Sequence, residues 1–167
     1  MPHPVQTSAE LWDRALALLS RRAHARAELS RKLQRYQPTP EMVAEVLARL
    51  ESAGWLDDAR FASDVADSMA RAGRSGPSRI NARLRGHGVS SEVAATAVTG
   101  TEADWEAACR EAAGAKISRG LDLADPKARA KLARYLAGRG FSPALVWKVI
   151  RGAGQNGDAD EPADQAE

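Results

Sequence analysis

The feature that most constrains the fold is a segment that recurs three times along the 167-residue chain. Residues 27–47, 78–98 and 130–150 align at offsets of 51 and 52 residues. Apolar, helix-start and turn positions coincide at these offsets, which is typical of a tandem array whose stacked units complete each other's cores. The equivalent positions are Leu29, Ile80 and Leu132; Leu33, Leu84 and Leu136; Thr39, Ser90 and Ser142; and Val46, Ala97 and Val149.

Each recurring segment shows the periodicity of α-helices. Apolar residues lie three and four positions apart, and β-branched residues nowhere alternate as they would in a strand, so we predict an all-α fold. About nine helices are expected, three in each repeat. Their starts are marked by capping residues and prolines, and their ends by glycines. The marks are TSAE (7–10), TEAD (101–104), Thr39, Asp125 and Ser142 for starts, and Gly54, Gly73, Gly88, Gly120 and Gly140 for ends.

These marks divide the chain into three repeats with an extension at each end. We predict repeats over residues 10–56, 57–100 and 101–152, preceded by a disordered N-terminus over 1–9. Residues 153–167 are rich in Gly, Pro and Asp and show no periodicity, so they are predicted to be a disordered acidic tail. This tail either aids solubility or competes with a partner for a basic surface.

Positive charge is concentrated in the repeats. The tail holds five acidic residues and no basic one, so the remainder has 24 basic and 17 acidic residues, a net charge of +7. This balance favours nucleic acid or an acidic protein surface as partner. The candidate binding residues lie in the second helix of the first two repeats and in the turns before it: Arg22, Arg26, Arg31, Lys32, Arg35, Arg74, Arg79, Arg83 and Arg85.

The alternative for these cations is an ordinary solvated helix face. In that case they would pair with acids four residues away along each helix. The sequence offers Glu28 with Lys32, Glu45 with Arg49, and Asp67 with Arg71 as such pairs.

Two adjacent aspartates in GWLDDARFA (54–62) raise the possibility of catalysis. Asp57 and Asp58 follow a helix-ending glycine, where aspartate caps the next helix, and no nearby His or Lys completes an acid/base arrangement. We therefore favour a structural joint, with Trp55 and Leu56 packed into it, over an active site.

Other catalytic and ligand-binding signatures are missing from the sequence. The three histidines lack metal-ligand spacing, GRSGPS (73–78) is no phosphate loop, and Cys109 is the only cysteine. We expect no catalytic residue, no metal and no cofactor. No apolar run approaches the roughly 20 residues of a membrane span, and the N-terminus lacks a signal-peptide pattern, so a cytoplasmic location is expected.

Three stretches in combination resemble the RecX-type regulatory proteins, which modulate the bacterial RecA recombinase. They are RRAHARAELSRKL (21–33), LESAGWLDDARFA (50–62) and GPSRINARLRGHGVS (76–90), and the resemblance covers about residues 11–151. It implies three tandem three-helix repeats in an elongated, curved array that lies in the groove of the RecA filament on single-stranded DNA.

The resemblance also implies a function without catalysis. Proteins of this kind limit RecA filament assembly, ATP hydrolysis and strand exchange. We therefore expect a monomeric negative regulator that contacts the RecA filament, and single-stranded DNA either directly or through RecA. The alternative is a helical repeat protein that binds nucleic acid without RecA, and an enzyme built on Asp57 and Asp58 ranks third.

Overall fold

The computed structural model describes residues 3–155, and within this range the chain forms nine α-helices and no strand. Each repeat contributes three consecutive helices, so the predicted all-α fold with three three-helix repeats is confirmed. A single turn of 3-10 helix, Gln34–Tyr36, follows α2. The α-helices are α1 Ser8–Leu19, α2 Arg26–Leu33, α3 Pro40–Ser52, α4 Asp58–Arg71, α5 Pro77–His87, α6 Ser91–Thr99, α7 Trp105–Ile117, α8 Pro126–Gly138 and α9 Pro143–Gln155.

The helices belong to two compact units. Among the described residues, unit 1 comprises residues 3–67 together with Asn81–Thr101, and unit 2 comprises Ser68–Ile80 together with residues 102–155. In unit 1, α1 packs against α2 and α3. In unit 2, α9 packs against α7 and α8.

Two of the three sets of equivalent apolar positions lie at the centres of the cores, whereas in the third set Val46 and Val149 are buried but Ala97 is only half-buried. Leu29, Ile80 and Leu132 are at most 1 % exposed, and Leu33, Leu84 and Leu136 are fully buried. Burial of each such side chain contributes about 1.5–3 kcal/mol to folding. The third-helix caps are also equivalent, because the hydroxyls of Thr39, Ser90 and Ser142 accept hydrogen bonds from the backbone N–H three residues later.

The predicted helix ends are confirmed, and one predicted helix start is wrong. All five glycines proposed as helix ends have positive φ angles, between 64° and 91°. The start of α7 differs from the prediction, because Asp104 rather than Thr101 caps it and accepts hydrogen bonds from two backbone N–H groups. The hydroxyl of Thr101 instead donates to the carbonyl of Val98, at the end of α6.

The structure also differs from the prediction at both ends of the chain. Val5 lies in the region predicted to be disordered, yet it is buried in the core of unit 1 and its N–H donates to the Tyr36 carbonyl. The reason is that the Val5 side chain is apolar, so its burial in this core stabilises the ordered position of the segment. Helix α9 continues to Gln155, beyond the predicted start of the acidic tail at residue 153. Residues 1–2 and 156–167 lie outside the described range.

Candidate partner-binding surface

The paired aspartates of the GWLDDARFA segment cap two different helices. Asp57 Oδ1 accepts a hydrogen bond of 2.9 Å from the Arg60 N–H, so it caps α4 as predicted. Asp58 Oδ1 instead accepts a 2.7 Å hydrogen bond from the N–H of Arg26, the first residue of α2. Both carboxylates therefore satisfy free helix N–H groups, and Asp58 joins repeat 2 to repeat 1.

The residues between the glycine and these aspartates do not both pack into the joint. Leu56 is buried, as predicted. The prediction for Trp55 is wrong, because 59 % of this residue is exposed.

Glu28 is the centre of a buried ionic cluster in unit 1. Its carboxylate binds the guanidinium of Arg22, the Lys32 ammonium at 3.1 Å, and His87 Nδ1 at 3.0 Å. Burial raises the pKa of Glu28, but the hydrogen bonds from Arg22, Lys32 and His87 outweigh burial and lower its pKa to about 2. His87 belongs to α5, so the cluster attaches helix α2 of repeat 1 to the second repeat.

His24 completes this cluster in its neutral form. Burial lowers the pKa of His24, which is 4 % exposed. Its Nδ1 lies 2.9 Å from the Arg22 carbonyl, to which it donates, and its Nε2 accepts from the Lys32 ammonium at 2.8 Å. These contacts fix the ring as the tautomer protonated at Nδ1. The RRAHARAELSRKL segment therefore has a structural role.

Three of the nine predicted binding residues form ion pairs within unit 1. Arg22 and Lys32 bind Glu28, as described above. Arg26 Nε lies 2.7 Å from Glu51 Oε1, with about half of each side chain exposed. The predicted Glu28–Lys32 pair is therefore formed, but Glu28 is buried and does not belong to a solvated face, and Arg49 lies over the Trp12 ring.

Two further predicted residues bind backbone carbonyl groups of the next repeat. In unit 1, the Arg31 guanidinium donates to the Gly86 carbonyl at 3.2 Å. In unit 2, Arg79 donates to the Gly138 carbonyl at 3.2 Å. Gly86 and Gly138 are 52 residues apart and thus occupy equivalent positions in repeats 2 and 3.

The remaining four predicted residues are free to contact a partner. Arg35, Arg83 and Arg85 in unit 1, and Arg74 in unit 2, are exposed and form no salt bridge with any residue between 3 and 155. An exposed guanidinium without a carboxylate partner can donate to phosphate or carboxylate groups without first breaking a contact. These four are therefore the strongest binding candidates in the predicted set.

Glycines in the turns before the third helices allow neighbouring repeats to approach closely. In unit 1, a Cβ on Gly88 would lie 2.4 Å from the Cβ of Ala27. In unit 2, a Cβ on Gly140 would lie 2.4 Å from the backbone nitrogen of Arg79. The sequence identified these glycines as helix ends, but it did not reveal that each also contacts the preceding repeat.

No arrangement of metal ligands is found among residues 3–155, where no group of three or more His, Cys, Asp or Glu side chains is placed to hold an ion. Cys109 is fully buried in the core of unit 2. Burial raises the pKa of its thiol, and the nearby Glu106 raises it further. Within the same range no helix combines the length and apolar character that crossing a membrane requires.

The fold and these contacts define a helical repeat protein built from consecutive three-helix domains. Three family models match in order along the chain, described as the first, second and third three-helix domains of RecX, over residues 12–50, 57–98 and 102–150. The chain therefore belongs to the RecX family of regulatory proteins.

Individual relatives agree with this assignment. The chain is 41 % identical to the regulatory protein RecX of Stenotrophomonas maltophilia over 141 residues, which cover 83 % of this chain and 84 % of that protein. It is 39 % identical to the regulatory protein RecX of Ralstonia nicotianae over 152 residues, covering 89 % and 92 %. The crystal structure of RecX from Lactobacillus salivarius has a similar fold, with a TM-score of 0.79 at 20 % identity, covering 89 % of this chain and 97 % of that one.

Proposed function

We propose that the protein is a negative regulator of RecA that binds the RecA–DNA filament and limits its assembly, ATP hydrolysis and strand exchange. The observation that carries the proposal is the match of three successive RecX domain models across residues 12–150. In this proposal the protein acts by binding alone, as a cytoplasmic monomer without a catalytic step. It contacts single-stranded DNA directly or through RecA.

The nine predicted cations have different parts in this proposal. Four of them, Arg35, Arg74, Arg83 and Arg85, are exposed and have no carboxylate partner among residues 3–155, so they contact the filament at little internal cost. Arg22, Arg26 and Lys32 reach a partner only by exchanging an existing ion pair. Arg31 and Arg79 hold neighbouring repeats together, so their substitution would perturb the fold as well as binding.

The direct test is the DNA-dependent ATPase of RecA, measured while this protein is titrated in. We expect inhibition, and inhibition at well below one molecule per RecA protomer would favour action at filament ends. A charge-reversed variant, Arg83→Glu/Arg85→Glu, should inhibit poorly because two exposed contacts become repulsive. Its defect should also become smaller as the ionic strength rises, since salt screens exposed charges over about 8–10 Å.

A matched control makes this test specific. Lys127→Glu/Lys131→Glu reverses two exposed lysines of α8 that lie outside the predicted binding set, and it changes the net charge by the same amount. This control should inhibit like the unmodified protein. Equal inhibition by both variants would overturn the assignment of Arg83 and Arg85, and no inhibition by the unmodified protein would overturn the proposed function itself.

A further inference from the structure

Unit 2 contains a cavity that the sequence did not identify. It lies between α7, α8 and the turn that follows α4, and it has a volume of about 500 Å³. This volume falls within the roughly 300–1,000 Å³ that is usual for small-molecule sites. Four basic side chains line it together with a single carboxylate, that of Glu111. The basic residues are Arg74, Lys116, Arg119 and Arg139.

The four cations of this cavity outnumber its single carboxylate and form no ion pairs with residues 3–155. None of the four basic side chains lies within 4.0 Å of a carboxylate of residues 3–155. By contrast, the neighbouring cleft between α7 and α9 holds a carboxylate, Glu106, that pairs with both Arg110 and Lys148. Like charges gathered in a partly enclosed space repel one another, and a bound anion would relieve this repulsion.

Part of the cavity wall is held in position before any ligand binds. The guanidinium of Arg139 lies 4.6 Å from the centre of the Tyr135 ring, and it donates to the Arg74 carbonyl at 2.7 Å. The Lys116 ammonium lies 4.7 Å from the same ring. The Nε–H of Arg139 is buried and has no acceptor among residues 3–155. Fixed donors lose less conformational entropy when an anion binds.

The chemistry of these groups favours a phosphate over other anions. A phosphate presents several oxygens at one point, so it can accept hydrogen bonds from more than one guanidinium at a time. The Tyr135 ring already contacts two cations, those of Lys116 and Arg139. Recognition through phosphates and not bases would make the contact independent of nucleotide sequence.

We propose that this cavity of unit 2 binds a backbone phosphate of single-stranded DNA. The inference deepens the proposed function, on which it rests, by assigning a direct DNA contact to the protein. Lys116 in the last turn of α7 and Arg119 just beyond the end of that helix act with Arg74 and Arg139 as donors to the phosphate oxygens. None of Lys116, Arg119 and Arg139 belongs to the binding set predicted from the sequence.

The test is binding of fluorescently labelled oligo-dT and oligo-dA by the full chain without RecA, followed by anisotropy across a series of salt concentrations. Lys116→Gln/Arg119→Gln should weaken binding to both oligonucleotides on the order of tenfold. The slope of log affinity against log salt should fall by about 0.7 for each phosphate that the variant no longer binds. Lys116→Arg/Arg119→Lys keeps both charges and should retain most of the affinity, provided that both variants melt like the unmodified protein.

The matched control is Lys131→Gln/Arg134→Gln, which removes one exposed lysine and one exposed arginine from α8 without touching the cavity. It should change the affinity less than twofold. Equal losses of affinity in the two variants, or no binding of either oligonucleotide by the unmodified protein, would overturn the inference. Polyglutamate binding that depends on Lys116 and Arg119 while DNA binding does not would also overturn it, in favour of an acidic peptide. RecA inhibition that persists in either case would leave the proposed function standing.

Discussion

The contact between repeats 1 and 2 in unit 1 differs in chemistry from the contact between repeats 2 and 3 in unit 2. At the first, side chains make the contact: Asp58 accepts from the Arg26 N–H at the start of α2, and Glu28 binds His87. At the second, backbone groups do so, because the carbonyls of Arg139 and Gly140 accept from the N–H groups of Gly76 and Ser78.

The residues at equivalent positions explain this difference. Glu28 is followed at the repeat offsets by Arg79 and Lys131, so the buried carboxylate exists only in the first repeat. Where Arg79 replaces it, a guanidinium donates to a backbone carbonyl and no ionic cluster forms. A single repeat geometry is thus held by side-chain charge at one contact and by backbone hydrogen bonds at the other. The first contact should therefore respond to charge and pH, and the second to changes in backbone space.

The largest effect is expected for Gly140→Ala at the second contact. Its φ of +89° strains any L-residue, and the new Cβ would lie 2.4 Å from the Arg79 backbone nitrogen. Gly120→Ala is the matched control, since φ is +88° there and nothing lies within 4 Å of the added Cβ. Backbone strain alone costs about 1–2 kcal/mol. Chemical denaturation should show a decrease in stability for Gly140→Ala larger by at least about 2 kcal/mol, typical of overpacking. Equal decreases would mean that the repeats do not approach so closely.

The next largest effect is expected for Glu28→Gln at the first contact. The substitution keeps the shape of the side chain but removes the charge that binds Arg22, Lys32 and His87. Breaking a buried ionic network costs about 3–5 kcal/mol, and the exposure of Arg22 and Lys32 reduces this to about 2–3 kcal/mol. Glu51→Gln removes the exposed partner of Arg26 and should cost only about 0.2–1 kcal/mol. Similar unfolding free energies for the two variants would contradict the central role of Glu28.

Acid should weaken the first contact before the second. The pKa of Glu28 falls from its ordinary 4.5 in the unfolded chain to about 2 in the folded protein. The folded state thus binds the proton less readily, so this stabilisation is complete above the unfolded pKa and disappears as pH falls from about 5 towards 2. The unfolding free energy of the unmodified protein should drop over this range by up to about 3 kcal/mol more than that of Glu28→Gln. Parallel pH profiles would exclude Glu28 as the source of the drop.

The smallest effect is expected for Asp58→Ala, which removes the cap of α2. Loss of a capping carboxylate costs about 1 kcal/mol. Asp58→Asn keeps an oxygen that can accept from the Arg26 N–H and should recover most of this stability. Hydrogen exchange should show faster exchange in the first turn of α2 for Asp58→Ala than for Asp57→Ala, which removes the cap of α4. The reverse order would place the Asp58 cap on its own helix.

The sequence was informative where local periodicity and repetition act together. Leu29, Ile80 and Leu132 are buried as predicted, because helical spacing fixes a face and three copies of the pattern reinforce it. The sequence was less informative about which other apolar residues are buried in the folded protein. Val5 is buried and Trp55 is exposed, contrary to prediction, since each outcome depends on surfaces brought close only by folding.

The candidate site also has some features that the sequence identified and others that it could not. Net charge and spacing identified the basic residues, and Arg35, Arg74, Arg83 and Arg85 have the exposure that a binding role requires. Spacing indicated the Glu28–Lys32 pair, but it could not show that Arg22 and Arg79 are engaged within the protein. Nor could it show the cavity formed by Lys116 and Arg139, whose positions in the chain are far apart.

By itself, the amino-acid sequence determined the number of helices among residues 3–155, most of their caps, their glycine ends, the repeat offsets and most core positions, because these follow from interactions within a few residues and from repetition. Only the tertiary structure decided that Glu28 meets His87 across 59 residues and that Gly140 meets Arg79. Such contacts join residues with no common local pattern, so their partners exist only once the repeats have packed together.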